Sequence, residues 1–63
     1  MDLKLIYSAP EAAKAASVSL PTLYQWLNRE GFPVFRTGRK YLIPVKAFER
    51  WLEEQAGIQY RNG

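Results

Sequence analysis

The chain has 63 residues, enough for one domain with a small core, and its 48% hydrophobic and 24% charged residues are typical of a folded protein. Its net charge is +3, and it contains no cysteine and no histidine, which excludes disulfides and the usual zinc sites. No apolar run approaches the roughly 20 residues of a membrane span, which favours a cytoplasmic protein without a membrane partner.

The first predicted helix spans residues 9–16 and follows an apolar, extended entry segment, residues 3–7. The Ser8 hydroxyl can accept from the amide of Glu11, whose carboxylate can reach back, which predicts a capping box. Pro10 lies in the first turn, where it costs no hydrogen bond. The alanines give this helix high propensity and a small profile, so another helix can approach it closely.

The second predicted helix spans residues 20–30, after a break at residues 17–19. Ser19 can cap it, and Gly31 is expected as its left-handed C-terminal cap. At about 100° per residue the helix has one apolar face and one polar face. The apolar face carries Leu23, Trp26 and Leu27, and the opposite arc carries Pro21, Thr22, Gln25, Asn28 and Arg29.

A β-hairpin is predicted over residues 34–43, around Gly38. A three-residue loop would place Phe35 opposite Ile43, with the larger apolar groups on one face, and this is the register we favour. A two-residue loop, Gly38-Arg39, is the competing register.

The third predicted helix spans residues 45–55 and ends near Gly57, and residues 56–63 are expected to be a flexible tail. Its apolar stripe consists of Val45, Phe48, Trp51 and Leu52. We expect the rings of Trp26, Phe35, Phe48 and Trp51 to pack in the core and those of Tyr24 and Tyr41 to pack at least in part. The predicted fold, over residues 1–63, is mostly α with a small β-hairpin, arranged as a winged helix-turn-helix.

Positive charge is concentrated in the middle of the chain. Residues 1–16 and 45–63 are each neutral, whereas residues 17–44 carry four cations against Glu30 alone. These cations are Arg29, Arg36, Arg39 and Lys40. Such a local positive field suits a polyanion, and a hairpin tip with three cations can lie along a DNA backbone or in a minor groove.

The candidate DNA contacts lie on the second helix and on the hairpin. They are Ser19, Thr22, Gln25, Asn28, Arg29, Arg36, Arg39 and Lys40. Hydroxyl and amide side chains offer both donors and acceptors to base edges in a major groove. The alternatives are a solvated helix face and a charged turn that keeps a sheet edge from aggregating.

An enzyme is not expected. The chain has no histidine or cysteine for acid–base or nucleophilic work and no glycine-rich phosphate loop. The acids Glu49, Glu53 and Glu54 fit an exposed helix face that also carries Lys46 and Arg50. We expect no metal and no other cofactor.

Residues 7–52, YSAPEAAKAASVSLPTLYQWLNREGFPVFRTGRKYLIPVKAFERWL, resemble the excisionase-type, MerR-related winged helix-turn-helix DNA-binding domains. The matching features are Ser-x-x-Glu-Ala-Ala, Val18-Ser19, Thr22-Leu23-Tyr24, Phe32-Pro33, Phe35-Arg36, Gly38-Arg39-Lys40, Ile43-Pro44 and Phe48-x-x-Trp51-Leu52. The resemblance implies that the second helix reads the major groove and that the hairpin is a wing contacting backbone and minor groove.

Small members of that family act as recombination directionality factors, which bind and bend DNA and help an integrase to excise a phage or mobile element. The resemblance therefore implies sequence-specific binding of double-stranded DNA, as a monomer or cooperatively along DNA, with an integrase or other recombinase as a further partner. The alternatives are a small transcriptional regulator of the same fold, or an interaction module whose residues 58–63 dock on a recombinase or polymerase.

Overall fold

The computed structural model describes residues 4–57, which form three helices and a three-stranded antiparallel sheet. The elements are β1 (Ile6–Tyr7), α1 (Ala9–Ala15), α2 (Leu20–Leu27), β2 (Phe35–Thr37), β3 (Lys40–Pro44) and α3 (Val45–Ala56). This architecture confirms the predicted winged helix-turn-helix, in which β2 and β3 form the wing. The entry segment contributes β1, which pairs with β3 on the side away from β2.

The predicted capping box is present at the start of α1. The Ser8 amide donates to Glu11 Oε1 at 2.8 Å, and the Glu11 amide donates to Ser8 Oγ at 3.3 Å. Glu11 Oε2 also lies 3.0 Å from Lys4 Nζ. Two backbone donors and a cation thus stabilise the first turn of a helix too short to be stable alone.

The turn between α1 and α2 is closed by backbone hydrogen bonds from Ser17 and Val18. The Val18 amide donates to Ala13 O at 3.0 Å and the Ser17 amide to Lys14 O at 3.1 Å, which is a Schellman motif. Ser17 has a left-handed φ of 60°, in the position where glycine is usual. Ser19 then caps α2 as predicted, because its Oγ accepts from the Thr22 amide at 3.3 Å.

α2 ends at Leu27, three residues before the predicted end at residue 30. Its C-terminal cap is Asn28, in a right-handed conformation, so Gly31, with φ 87°, is not the cap of this helix. The early end has a tertiary cause. The turn that follows carries Phe32 into the core, where its ring packs edge-on against Trp51 at a centroid distance of 4.7 Å.

The wing adopts the two-residue loop, and the favoured three-residue register is wrong. The strand pairs are Phe35 with Leu42, Arg36 with Tyr41 and Thr37 with Lys40. Gly38 has φ 60° in the first loop position, as in a type II′ turn, whose twist suits adjacent antiparallel strands.

The change of register moves Phe35 to the opposite face of the hairpin, because side chains alternate along a strand. Phe35 is 51% exposed, and the prediction that its ring packs in the core is therefore wrong. Arg36 lies on the other face of the hairpin, together with its partner Tyr41. Buried Ile43, two residues further along β3, is on the same face as Tyr41.

The core lies between the three helices and the inner face of β3. Its buried residues are Ala9, Ala12, Ala13, Leu23, Phe32, Ile43, Phe48 and Trp51. Trp26 and Leu52 are partly buried against them, as the helix patterns predicted. α3 ends at Ala56 with Gly57 as a left-handed cap, and the remainder of the predicted tail, residues 58–63, lies outside the described residues.

Candidate nucleic-acid interface

The outward face of α2 presents short polar side chains opposite buried Leu23. Ser19 and Gln25 are exposed and Thr22 is half-buried. Ser19 Oγ donates to Thr22 Oγ1 at 3.0 Å, so the Thr22 hydroxyl keeps its own proton for an external acceptor. This pairing stabilises the first turn of α2.

Gln25 and Asn28 extend this polar face toward the end of α2. Among the described residues, Gln25 has no side-chain hydrogen bond, so both its amide donor and its acceptor are available. Asn28 Nδ2 donates to Tyr24 O at 3.5 Å, a long bond that leaves the side-chain oxygen as an acceptor. Free amides are the side chains that can pair bidentately with adenine.

Arg29 does not join the other candidate contacts of α2. It lies beyond the end of the helix, and its Nη1 donates to Gln55 Oε1 at 3.1 Å. Its Cζ is 6.0 Å from the ring centroid of Trp51. The guanidinium therefore lies against α3, where contact with Trp51 and Gln55 gives it a structural role.

The three wing cations Arg36, Arg39 and Lys40 are all exposed. Within residues 4–57 none of them forms a salt bridge. Arg36 lies over the ring of Tyr41, with its Cζ 5.0 Å from the ring centroid. The wing therefore presents positive charge that no acidic side chain within residues 4–57 compensates.

α2 and the wing meet at one cleft, with a volume of about 390 Å³. Tyr24 of α2 and Arg39, Lys40 and Tyr41 of the wing line it together with the start of α1. The rings of Tyr24 and Tyr41 pack edge to face at 6.2 Å between centroids, which confirms that both tyrosines pack. The contribution of Ser8 and Pro10 to this cleft was not predicted, because residues so distant in sequence meet only in the folded chain.

The acid nearest to this cleft on α1 is already compensated. The Ser8 backbone amide, and after it the side chain of Lys4, hold the pKa of Glu11 below its usual range. Glu11 stays ionised at neutral pH, but its charge is balanced by Lys4 at 3.0 Å. The positive field of the wing is therefore not opposed by a free carboxylate of the capping box.

A model of the helix-turn-helix domain family matches residues 6–56. The chain belongs to the helix-turn-helix domain family. This confirms the predicted helix-turn-helix class, and double-stranded DNA is the partner that the family implies. No curated protein and no solved structure gives a significant match to the chain.

In this helix-turn-helix domain, α1 and α2 are the two helices of the motif, and residues 16–19 are its turn. The second helix of such a motif is the one that enters the major groove, and in this chain that helix is α2. Helix-turn-helix domains are typically not enzymes, which agrees with the expectation from the sequence.

Within residues 4–57, no helix is both long and apolar enough to cross a membrane. In the same range, no three histidine, cysteine, aspartate or glutamate side chains are grouped so that they could hold a metal ion.

Proposed function

We propose that this helix-turn-helix domain binds double-stranded DNA in a sequence-specific manner, with α2 in the major groove and the wing on the adjacent backbone and minor groove. One observation carries the proposal. Tyr24 of α2 lines the same cleft as the wing cations Arg39 and Lys40, and within residues 4–57 the three wing cations have no acidic partner.

Base recognition is assigned to Thr22, Gln25 and Asn28. Their side chains are short, so they favour a close approach of α2 to the groove floor. Gln25 and Asn28 offer a donor and an acceptor each, and Thr22 offers a hydroxyl proton. Ser19 contributes indirectly, since it holds Thr22 in place.

Backbone binding is assigned to Arg36, Arg39 and Lys40. Each cation that neutralises a phosphate releases condensed counterions, which makes affinity fall with salt. An arginine at the tip can also enter a narrow, A·T-rich minor groove, where the negative potential is strongest. Arg29 is a weaker candidate because Gln55 and Trp51 already engage its guanidinium.

For the biological role we propose an excisionase-type recombination directionality factor of a phage or mobile element, acting in the cytoplasm with an integrase. The ordered resemblance over residues 7–52 supports this role, since small members of that family bind and bend DNA. Energy transfer between dyes at the two ends of a bound duplex measures the bend. An unbent duplex would favour a transcriptional regulator instead.

The first test is fluorescence anisotropy of a labelled random duplex, titrated with the protein between about 50 and 200 mM salt. We expect a steep fall of log affinity with log salt, equivalent to about three released counterions, one for each wing cation. Arg39→Ala and Lys40→Ala should each weaken binding to every duplex and reduce the slope by about one.

Arg50→Ala is the matched control, because it removes one exposed cation from α3 and none from the wing. It should leave the affinity and the salt slope close to those of the unmodified protein. Equal losses for Arg50→Ala and Arg39→Ala would mean that only net charge matters, and absence of binding at 50 mM salt would refute DNA binding itself.

Sequence readout needs a selected cognate duplex. There Thr22→Ala and Gln25→Ala should each cost about 1–3 kcal/mol, with little loss on random DNA. An equal loss of affinity on the cognate and the random duplex would mean that α2 contacts only the DNA backbone.

A further inference from the structure

Three side chains form a continuous stack from α2 to the edge strand of the sheet. The ring of Tyr24 packs edge to face on the ring of Tyr41, and the guanidinium of Arg36 lies over the same Tyr41 ring, with its Cζ 5.0 Å from the centroid. Tyr41 is thus the middle member, in contact with both the recognition helix and the wing arginine.

The stack matters because the outer strand of the wing is otherwise poorly anchored. All three residues of β2 are exposed, and β2 pairs only with β3 in the described sheet. Arg36 and Tyr41 lie directly opposite each other in that pair, so the contact follows from the register of the two-residue loop.

A long arginine side chain loses considerable freedom when it binds a phosphate. A cation held over an aromatic ring has already lost part of that freedom, because the ring attracts it electrostatically. Tyr41 can therefore lower the cost of binding without touching DNA, provided that the held position is the one that DNA uses.

We propose that Tyr41 is a positioning residue, which holds Arg36 beside α2 so that the recognition helix and the wing engage one DNA backbone as a single unit. The inference rests on the proposed function of the domain. Arg36 thereby differs from Arg39 and Lys40, because within residues 4–57 neither of these two cations lies over an aromatic ring.

A double-mutant cycle on DNA affinity tests the proposal. Arg36→Ala should weaken binding about tenfold, the loss of one charge-assisted contact. Tyr41→Leu removes the ring but keeps an apolar side chain, and it should weaken binding about threefold, as expected for one exposed cation–π contact. In the Arg36→Ala background, Tyr41→Leu should cause no further loss.

Two controls separate positioning from general loosening of the wing. Tyr41→Phe keeps the ring and should retain the affinity of the unmodified protein. Combined with Lys40→Ala, whose side chain is not stacked, Tyr41→Leu should still cause its full threefold loss. Thermal unfolding of each variant verifies that the domain is folded.

NMR spectroscopy of the protein without DNA tests whether the Arg36 side chain lies over the Tyr41 ring. In the free protein, the Arg36 side-chain protons should show ring-current shifts in NMR spectra, retained in Tyr41→Phe and lost in Tyr41→Leu. If the unmodified protein bound no DNA, the proposed function would fail, and these shifts would still report whether Tyr41 holds Arg36.

Three results would overturn the positioning role. The first is an Arg36 side chain without ring-current shifts. The second is full additivity of Tyr41→Leu and Arg36→Ala, and the third is a loss in Tyr41→Phe as large as in Tyr41→Leu, which would assign the effect to the hydroxyl group.

Discussion

The helical body, which consists of α1, α2 and α3, and the wing are each stabilised by different interactions. The body buries aromatic and aliphatic side chains from the three helices, serine side chains cap the starts of α1 and α2, and left-handed Gly57 ends α3. The wing exposes every residue of β2 and depends on backbone pairing, a two-residue loop and the Tyr41 stack. Global stability therefore resides in the body and in buried Ile43 of β3, whereas β2 and the loop can be altered with little effect on the rest of the fold.

The largest expected effect comes from Trp51→Ala. Trp51 is 5% exposed and packs against Phe32, at 4.7 Å between centroids, and against Trp26, at 5.3 Å. Removal of a large buried aromatic side chain costs about 3–5 kcal/mol, which is most of the stability of a small domain. We expect a largely unfolded protein at 25 °C by near-ultraviolet circular dichroism.

Phe35→Ala is the matched comparison in the wing. Phe35 is 51% exposed, so its loss should change the free energy of unfolding by about 0.5 kcal/mol or less. Chemical denaturation of both variants measures the difference. If Phe35→Ala were as damaging as Trp51→Ala, the wing would belong to the cooperative core and the distinction between the two regions would be wrong.

The difference between the helical body and the wing also explains which features could be predicted from the sequence. The helix starts were predicted because their signals are local: Ser8 with Glu11, and Ser19 with Thr22, meet within one turn. The apolar stripes of α2 and α3 follow from helical period alone. Neither inference needs knowledge of the rest of the fold.

The errors arose where tertiary contacts decide the outcome. The end of α2 depends on the burial of Phe32, which packs on α3 residues far along the chain. The wing register depends on one loop residue, and both registers place an apolar residue opposite Phe35. The stack of Tyr24, Tyr41 and Arg36 follows from that register, so it could not be predicted from the favoured hairpin.

Gly38→Ala should weaken the wing without unfolding the body. No atom lies within 4 Å of where the new Cβ would stand, so the penalty comes only from φ 60°, about 1–2 kcal/mol. Amide hydrogen exchange should accelerate in β2, while the amides of α3 keep their protection. Equal acceleration in both elements would show that the wing opens only by global unfolding.

Ser17→Gly should stabilise the body. Ser17 adopts φ 60° at the left-handed position of the Schellman motif, where glycine avoids the steric penalty. After allowance for the greater freedom of glycine in the unfolded chain, we expect a gain of about 0.5–1 kcal/mol, visible as a higher Tm. A lower Tm would mean that the serine side chain makes a compensating contact. The salt slope of DNA binding should not change, since the turn carries no cation.

The smallest effect concerns pH and the capping box of α1. The pKa of Glu11 is lowered in the folded chain, first by the Ser8 amide and then by Lys4. A group with a lowered folded-state pKa adds stability above its unfolded pKa and loses that contribution as the pH falls through the folded one. Glu11→Gln preserves a capping side chain but cannot titrate, so its stability should fall less than that of the unmodified protein on acidification.

Lys4→Ala separates the two causes of the lowered Glu11 pKa, the Ser8 amide and the Lys4 side chain. Because the Ser8 amide is the larger one, this variant should keep most of the acid-dependent loss, and added salt should change its pH profile less than that of the unmodified protein. Thermal unfolding across the acidic range measures all three profiles. If Lys4→Ala abolished the difference from Glu11→Gln, the exposed ion pair, rather than the capping box, would stabilise the first turn of α1.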